Sequence, residues 1–237
     1  MIDTILFDLD GTLLPMDQER FVKLYLGLLA QYLAPYGYEP QALVKAVWDG
    51  TGAMMVNDGE KTNEAVFWDV FRRAFGPRVD AERELFDEFY ATDFAGARVA
   101  CGSNPEAAGL IAMLKTRGVR CVLATNPLFP RIATMQRIRW AGLDPADFDL
   151  VTTYEDSRFC KPNPEYYREI LGKIGKEPGQ CMMVGNDGRE DLAAAKLGMP
   201  VFLLTDCLLR GEEAGDHAPR GSFRELTAVL EHVTAVK

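Results

Sequence analysis

The strongest constraint on how this chain folds is a pair of aspartates that follows a short apolar run near residue 4. The run Thr4-Ile5-Leu6-Phe7 has the length of a buried β-strand and is too short for a helix. Asp8 and Asp10 come next, and Gly11 follows them. In a parallel α/β sheet, ligands bind at the carboxyl ends of the strands. The pattern therefore predicts two carboxylates at a ligand-binding edge.

Two carboxylates this close repel each other unless a cation neutralises their charge. A hard divalent ion such as Mg²⁺, which prefers oxygen ligands, would do so here. The pair Asp10-Gly11 is also a common turn sequence, so a simple strand-to-turn junction explains the same residues. The motif alone leaves both interpretations open, and the rest of the sequence decides between them.

Composition restricts the class of protein. A chain of 237 residues can bury one core, or one core and a small second domain. The net charge of −9, without a basic run, argues against nucleic acid as a partner, because phosphate backbones bind clustered Lys and Arg. Five scattered cysteines and two histidines, His217 and His232, offer little for a zinc site. No stretch has the length of a membrane span, so we expect a cytoplasmic protein with reduced thiols and no membrane partner.

A helical segment follows the first strand. Apolar residues recur at helical spacing in four stretches, at residues 21–32, 41–48, 65–75 and 82–90. Thr62 or Asn63 can cap the third of these, and residues 50–63 before it are predicted to form a loop. No strand signal occurs between residue 18 and about residue 94. We therefore predict an all-helical domain at residues 17–99, inserted after the first strand.

The remaining sequence alternates between strands and helices. Further strands are predicted at residues 120–124, 148–152, 180–184 and 201–204. Helices are predicted at residues 103–118, 130–140, 163–174 and 190–197, and a last one begins at Ser222. Ser103 is the expected cap of the first of these, and Glu225 completes a capping box with Ser222. The alternation predicts a Rossmann-like α/β core at residues 1–16 and 100–237, a parallel sheet with helices on both faces.

Polar residues follow several of these strands. Thr125-Asn126 ends one strand, and Gly185-Asn186-Asp187 ends another, with Asp191 four residues after Asp187. Lys161 lies in a proline-bounded loop between them. This set suits phosphoryl transfer, since an aspartate can attack phosphorus and form an aspartyl-phosphate. A metal and a lysine would offset the charge, and a second carboxylate would transfer the proton.

These residues also carry a family resemblance. Four short motifs occur in the order in which the haloacid dehalogenase-like (HAD) hydrolase superfamily has them: Asp8-Leu9-Asp10-Gly11-Thr12, Thr125-Asn126, Lys161-Pro162, and Gly185-Asn186-Asp187 with Asp191. The predicted helical segment at residues 17–99 is similar to the C1-type cap of that superfamily. Together they cover both the predicted core and the insertion.

The resemblance implies a role for each motif residue. Asp8 would be the nucleophile and Asp10 the general acid and base. Thr125 would bind the phosphoryl oxygens, and Lys161 would steady both the nucleophile and the phosphate. Mg²⁺ would lie on Asp8, on the backbone carbonyl of Asp10 and on Asp187.

Other motif residues are less sharply defined. Gly11 is a candidate for phosphate binding, and Asn126 is either a phosphate contact or part of a structural turn. The fourth motif has Gly-Asn-Asp where many relatives have Gly-Asp. This departure leaves open whether Asp187 or Asp191 is the closer metal ligand. We expect Asp187 to bind the metal and Asp191 to support it, while a role of Asp191 as a helix-terminal charge is the alternative.

The resemblance favours a Mg²⁺-dependent phosphatase that hydrolyses a small phosphorylated metabolite through phospho-Asp8. Asp10 favours phosphate chemistry, because dehalogenases of the superfamily lack this acid. The alternatives are a sugar phosphomutase on the same core and a non-catalytic binding or scaffold protein.

In the helical segment, the loop at residues 50–63 is a candidate for substrate contacts. The larger apolar residues in and around this loop are expected to form the core of the helical segment: Trp48, Met54, Met55, Trp68 and Phe71. Three cations in the segment, Arg20, Lys61 and Arg72, have no assigned face.

Overall fold

Six parallel strands form one sheet in the computed structural model, which describes residues 2–215 and 218–234, so that His217 lies outside the described residues. The strand order is β3-β2-β1-β4-β5-β6. The strands are β1 (Thr4–Phe7), β2 (Arg120–Leu123), β3 (Leu150–Val151), β4 (Cys181–Gly185), β5 (Val201–Leu204) and β6 (Arg220–Gly221). β1 lies at the centre, where Phe7 pairs with Leu123 on one side and Val184 on the other.

Helices follow β1 without any strand until residue 101. They are α1 (Gln18–Leu33), α2 (Pro40–Met55), α3 (Asn63–Phe75), α4 (Arg78–Ala81) and α5 (Arg83–Ala91), with 3-10 turns at Ala34–Tyr36 and Asp93–Ala100. They are called the cap helices below. Met16 and Cys101 form an antiparallel bridge where the chain leaves and re-enters the core. The division at residues 17–99 remains our proposal for the cap domain.

The cap helices enclose an aromatic core. Its buried rings include Phe21 and Tyr25 of α1 and Phe71 of α3. Phe94 joins this cluster to the strand-containing part, because its ring stacks on Trp140 with the centroids 5.1 Å apart. Aromatic contacts of this kind bury large apolar areas and stabilise the packing of the cap helices on the core.

The other helices cover the two faces of the sheet. They are α6 (Pro105–Thr116), α7 (Arg131–Trp140), α8 (Pro164–Ile174) and α9 (Phe223–Val233), with 3-10 turns at Pro145–Asp147, Pro178–Gln180 and Leu192–Leu197. Successive strand residues point to opposite faces. Ile5 accordingly packs on the side of α6, α7 and α9, and Leu6 packs on the side of α8. This arrangement confirms the predicted fold class.

No helix in the described ranges is long and apolar enough to cross a membrane. The longest, α1 and α2, have 16 residues each, whereas a span needs about 20 apolar residues. All five cysteines are free; Cys121, Cys160 and Cys181 are buried, and Cys101 and Cys207 are partly buried.

Several predicted element boundaries were wrong. α2 continues to Met55 through Gly50 and Gly52, so the loop predicted at residues 50–63 is confined to residues 56–62. Gly50 is tolerated there because it lies under the ring of Phe67, where a Cβ would come within 2.6 Å of a ring carbon. Close helix packing overrides the low helix propensity of glycine.

Other differences lie in the strand-containing part. Asn104, not Ser103, caps α6, and its side chain accepts a hydrogen bond from the backbone N of Glu106 at 3.1 Å. The helix predicted at residues 190–197 is only a 3-10 turn at Leu192–Leu197. β6 was not predicted, because a strand of two residues is too short to show the alternation of apolar and polar residues. The predicted caps Thr62 and Ser222 are confirmed.

Candidate active site

The centre of the site is a buried lysine that contacts two carboxylates. Lys161, in the loop before α8, donates from Nζ to Oδ1 of Asp8 at 2.8 Å and to Oδ1 of Asp191 at 2.6 Å. The side chains of Lys161 and Asp191 are each 1% exposed. Asp8 directly follows β1, and its backbone N donates to the carbonyl of Val184 at 2.8 Å. The central strand and its neighbour therefore fix the position of Asp8.

Burial dominates the electrostatics of this cluster. It raises the pKa of Asp8 to about 8 against the opposing effect of Lys161, and Asp191 and Asp10 add to the increase. Burial also disfavours the charge of Lys161, but Asp191 and Asp8 hold the pKa of Lys161 well above its usual value. The ammonium is therefore positive, and a negative charge on Asp8 is costly unless more positive charge is brought to it.

Asp10 is held from the other side by a residue of α7. Its Oδ2 pairs with Nη1 of Arg137, whose side chain is 1% exposed. The guanidinium carbon of Arg137 lies 4.4 Å from the centroid of the Phe129 ring. Oδ1 of Asp10 is buried and has no hydrogen-bond partner among the described residues. A buried polar atom of this kind is costly unless a bound group pairs with it.

Asp191 organises the turn after β4. Its Oδ2 accepts hydrogen bonds from the backbone N of Asn186 at 2.9 Å and of Asp187 at 3.0 Å. Gly185 makes this possible, since a Cβ at that position would lie 2.0 Å from Oδ2 of Asp191. With Oδ1 bound to Lys161, both oxygens of Asp191 serve to hold the site together.

The carboxylate of Asp187 faces an arginine. Its Oδ1 accepts from the backbone N of Arg189 at 2.8 Å and of Glu190 at 2.9 Å. The same oxygen accepts from Nε of Arg210 at 2.9 Å, and Nη2 of Arg210 contacts Oδ2 of Asp187. Nη2 also bonds Oε1 of Glu190 at 3.0 Å. Asp187 is therefore engaged by Arg210 and by its own turn.

Asn186, rather than Asp187, is linked to Asp8, through the hydroxyl of Thr12. Its Oδ1 accepts from Oγ1 of Thr12 at 3.1 Å, and that hydroxyl lies 3.5 Å from Oδ2 of Asp8. Its Nδ2 donates to the carbonyl of Cys207 at 2.7 Å. Gly11, at φ 85°, leaves the space that the amide fills, because a Cβ there would lie 2.2 Å from Nδ2.

Asn126 connects three loops. Its Oδ1 accepts from the backbone N of Lys161 at 3.2 Å, and its Nδ2 donates to Oε2 of Glu190 at 2.9 Å. Both ends of the amide are thus used within the protein. Of the two interpretations of Asn126, this geometry favours the structural one.

The other two candidate phosphate-binding residues differ in their surroundings. Thr125 is buried beside the cavity described below, and its backbone carbonyl is fixed by the hydroxyl of Tyr166 at 2.8 Å and of Thr152 at 2.6 Å. The backbone N of Gly11 donates to the carbonyl of Leu14 at 2.8 Å. Gly11 therefore shapes the turn, while Thr125 lies at a wall of the cavity.

A cavity of about 200 Å³ extends from these carboxylates into the cap helices. Asp8 and Asp10 line its inner end, and α1, α2, α3 and α5 contribute most of the remaining wall. Trp48, Trp68 and Phe71, which were expected only in the core of the cap, also line it. From the stretch at residues 50–63, Thr51 alone appears in the lining among the described residues.

Within residues 2–215 and 218–234, no three His, Cys, Asp or Glu side chains converge on a point suited to a metal. The contacts above explain this, because Asp187 faces Arg210 and Asp191 faces Lys161. A cation at this edge would have the carboxylate of Asp8 and neutral oxygens such as that of Asn186. Mg²⁺ is commonly bound in this way, by one or two carboxylates together with waters and substrate phosphate oxygens.

Three residues of the site, Arg137, Arg210 and Asn186, were given no role from the sequence. The helical spacing of α7 does indicate that Arg137 is buried, since it lies four residues after Ala133 and next to Ile138 on the buried face. A charged residue on an apolar helix face requires a partner. Arg210 stands in a stretch without periodicity, and no local pattern points to it.

The fold and these motifs define the class of protein. The family model described as haloacid dehalogenase-like hydrolase matches residues 2–198. The chain therefore belongs to the haloacid dehalogenase-like hydrolases, as the motifs predicted.

Individual relatives place it among the phosphatase-type members. The chain is 30% identical over 204 residues to a phosphoglycolate phosphatase of Yersinia pseudotuberculosis, with 85% of this chain and 80% of the relative covered. It is 24% identical over 237 residues to the pyrophosphatase PpaX of Bacillus pumilus, with 99% and 97% covered. The crystal structure of a 2-haloacid dehalogenase from Pseudomonas syringae has the same fold, with a TM-score of 0.66, 21% identity, and 98% and 100% of the two chains covered.

Proposed function

We propose that this chain is a Mg²⁺-dependent phosphatase that hydrolyses a small phosphomonoester through a covalent phospho-Asp8 intermediate. The observation that carries the proposal is the position of Asp8. Its carboxylate contacts the ammonium of Lys161 at 2.8 Å, and Asp8 and Asp10 both line the cavity. A nucleophile, a cation and a proton-transfer group are thus within reach of one bound phosphoryl group.

The reaction proceeds in two steps. A carboxylate oxygen of Asp8 attacks phosphorus, the bond from phosphorus to the leaving oxygen breaks, and Asp10 gives that oxygen a proton. Asp10 then takes a proton from water, which attacks the phosphorus of phospho-Asp8 and releases inorganic phosphate. Lys161 and the hydroxyl of Thr125 stabilise the transferring group.

The oxygens at this edge fit Mg²⁺. The resemblance implies that Asp8 and the backbone carbonyl of Asp10 would hold the ion. In the fourth motif, the amide oxygen of Asn186 is linked to Asp8 through the hydroxyl of Thr12, so this oxygen is a further candidate ligand. For Asp187 to be the ligand, its carboxylate would have to leave Arg210. When bound, Mg²⁺ neutralises charge on the phosphoryl oxygens and on Asp8.

A small phosphorylated metabolite in the cytoplasm is the proposed substrate. A phosphomutase is the less favoured alternative, since a second phosphate would need a cation, and no Lys or Arg lines the described part of the cavity. A non-catalytic binding or scaffold role is disfavoured because Asp8, Asp10 and Lys161 keep the contacts that the reaction requires.

Release of inorganic phosphate from a panel of phosphorylated metabolites tests the proposal. The assay is run with Mg²⁺, with EDTA, and with the variant Asp8→Asn. Metal-dependent release that Asp8→Asn abolishes supports the proposal. So does ³²P that stays on the wild-type protein in acid and is released by base or hydroxylamine, because this is the behaviour of an acyl phosphate. Equal inactivity of the wild type and the variant on every substrate would contradict it.

A further inference from the structure

The cavity above Asp8 and Asp10 is walled mainly by apolar and aromatic side chains. Ten of its lining residues are aromatic, and they come from all four of the larger cap helices and from residues 129 and 154. They include Phe21 of α1, Trp48 of α2 and Phe67 of α3. The hydroxyls of Tyr25 and Tyr90, the tyrosines between these helices, bond to each other at 2.9 Å. The wall therefore offers a bound group contact area rather than charge.

Among the described residues, the charged groups that line the cavity are all acidic. Asp8 and Asp10 lie at its inner end, with Asp187, Glu190 and Asp191 around them, and Asp87 lies on α5. No Lys or Arg belongs to the described lining. A negatively charged leaving group would meet apolar walls and carboxylates without a cation to pair with, which is unfavourable at low dielectric.

The cations near the inner end are already paired. Lys161 contacts Asp8 and Asp191, and Arg137 contacts Asp10. Neither cation is therefore free to pair with a charge on the leaving group.

The cap cations that had no assigned face lie outside the cavity. Lys61 pairs with Asp69 at 2.8 Å, and Arg72 pairs with Asp69 at 2.7 Å and with Asp80 at 2.8 Å. Arg20 is exposed and does not line the cavity.

Resting on the phosphatase function proposed above, we infer that the physiological substrate is a phosphomonoester of an uncharged, apolar alcohol or phenol. Its phosphoryl group lies at Asp8, its leaving oxygen meets Oδ1 of Asp10, and its aryl or alkyl group fills the space between the cap helices. A cavity of roughly 150 Å³ lined by apolar side chains suffices for one benzene ring. The inference distinguishes this chain from the relatives named for phosphoglycolate and pyrophosphate, whose leaving groups are anionic.

The test compares kcat/KM for phenyl phosphate, 2-phosphoglycolate, inorganic pyrophosphate and phosphoethanolamine, with Mg²⁺ and with Asp8→Asn as the inactive control. We expect kcat/KM for phenyl phosphate to exceed that for phosphoglycolate and for pyrophosphate, whose leaving groups are anionic, by about tenfold or more. A preference for phosphoglycolate or pyrophosphate overturns the inference but leaves the phosphatase function intact. A preference for phosphoethanolamine overturns it in favour of a cationic leaving group, which the acidic residues would bind. No release from any substrate overturns the phosphatase function, and the inference with it.

A charge placed in the cavity sharpens the test. Thr51 of α2 lines the wall and is partly exposed, so Thr51→Lys can add a cation there, and Thr51→Gln is the neutral control. We expect Thr51→Lys to raise the ratio of kcat/KM for phosphoglycolate over phenyl phosphate by about tenfold, and Thr51→Gln to leave this ratio unchanged. An unchanged ratio in both variants would show that the leaving group does not occupy this space.

Trp48 provides a second variant at an exposed position. It lines the cavity although it is 53% exposed, whereas Tyr36 is 45% exposed and lies outside the cavity. Trp48→Gln should raise KM for phenyl phosphate about threefold or more through loss of apolar contact, and Tyr36→Gln should not. Equal KM values in both variants would contradict the placement of the aryl group.

Discussion

Arg137 contacts one carboxylate oxygen of Asp10 and leaves the other buried and unpaired, although the two residues are 127 positions apart. The arginine is itself fixed, since its guanidinium packs on the ring of Phe129 at 4.4 Å and donates to Oγ1 of Thr134 at 3.4 Å. Asp10 therefore presents Oδ1 in a defined direction. We therefore propose that Arg137 positions Asp10 for the proton transfer.

Replacement of Arg137 should impair proton transfer more than binding. In Arg137→Gln we expect kcat for phenyl phosphate to fall by about 10²-fold with little change in KM, because general acid catalysis is worth on the order of 10² to 10⁴. The loss should be much smaller for 4-nitrophenyl phosphate, whose leaving group departs without a proton. Steady-state kinetics on both substrates make the measurement.

The control for this prediction is Arg139→Gln, since Arg139 lies on the exposed face of the same helix. Arg137→Lys should restore part of kcat if the positive charge matters. Equal losses on the two aryl phosphates would indicate a merely structural role for Arg137. A melting curve of each variant shows that the assay temperature lies below its transition.

The coupling free energy between Lys161 and Asp191 should be larger than that of a surface ion pair. Removing the lysine leaves two buried carboxylates facing each other, so Lys161→Met should lower the free energy of unfolding by about 3–5 kcal/mol. Adding Asp191→Asn to that variant should recover part of the loss. The double-mutant cycle is measured by urea unfolding in EDTA.

The surface pair of Lys45 and Asp49 is the matched control, at 2.6 Å and largely exposed. Its cycle should give a coupling of about 0–1 kcal/mol. Additive effects of Lys161→Met and Asp191→Asn would mean that the buried contact contributes no more than this exposed one.

The pKa of Asp8 predicts how the metal-free protein responds to pH. Burial raises this pKa from 3.8 to about 8, with Asp191 and Asp10 adding to the increase against Lys161. The folded state therefore binds the proton more tightly than the unfolded state, and the contribution of Asp8 to stability is lost as pH rises from about 4 to about 8. In EDTA, the difference in free energy of unfolding between Asp8→Asn and the wild type should increase over this range. A constant difference between the two proteins would contradict the raised pKa.

Much of the core was predictable because its signals are local. The apolar run before Asp8, the proline-bounded loop around Lys161 and the capping box of Ser222 and Glu225 each lie within a few residues. Strand ends of a parallel sheet share one edge, so alternation alone predicted that the motifs of β1 and β4 lie together. In the structure, Lys161 contacts both Asp8 and Asp191.

The parts that escaped prediction depend on contacts distant in sequence. Whether Asp187 or Asn186 turns toward Asp8 is decided by Arg210, which lies 23 residues after Asp187 and draws its carboxylate away. The continuation of α2 through Gly50 depends on Phe67 of the next helix. Neither partner follows from propensity or periodicity, because both choices arise from tertiary packing.

Mg²⁺ affinity tests whether Asn186 or Asp187 supplies the metal ligand of the fourth motif. Asp191, the alternative to Asp187 in the sequence, uses both carboxylate oxygens on Lys161 and on the backbone of its own turn. The Oδ1 of Asn186 lies 3.1 Å from the hydroxyl of Thr12, next to Asp8, so an acid at this position would add negative charge to the metal site. Asn186→Asp should therefore tighten Mg²⁺ binding by about tenfold or more, and Asn186→Ala should weaken it. Asp187→Asn should lower the melting temperature, since it weakens the ion pair with Arg210. Mg²⁺ should still raise the melting temperature of this variant as much as it raises that of the wild type. Thermal shift against Mg²⁺ concentration, without substrate, measures both quantities. If Asp187→Asn instead loses the Mg²⁺ response and the variants of Asn186 keep it, Asp187 is the ligand, and Arg210 must release it when the metal binds.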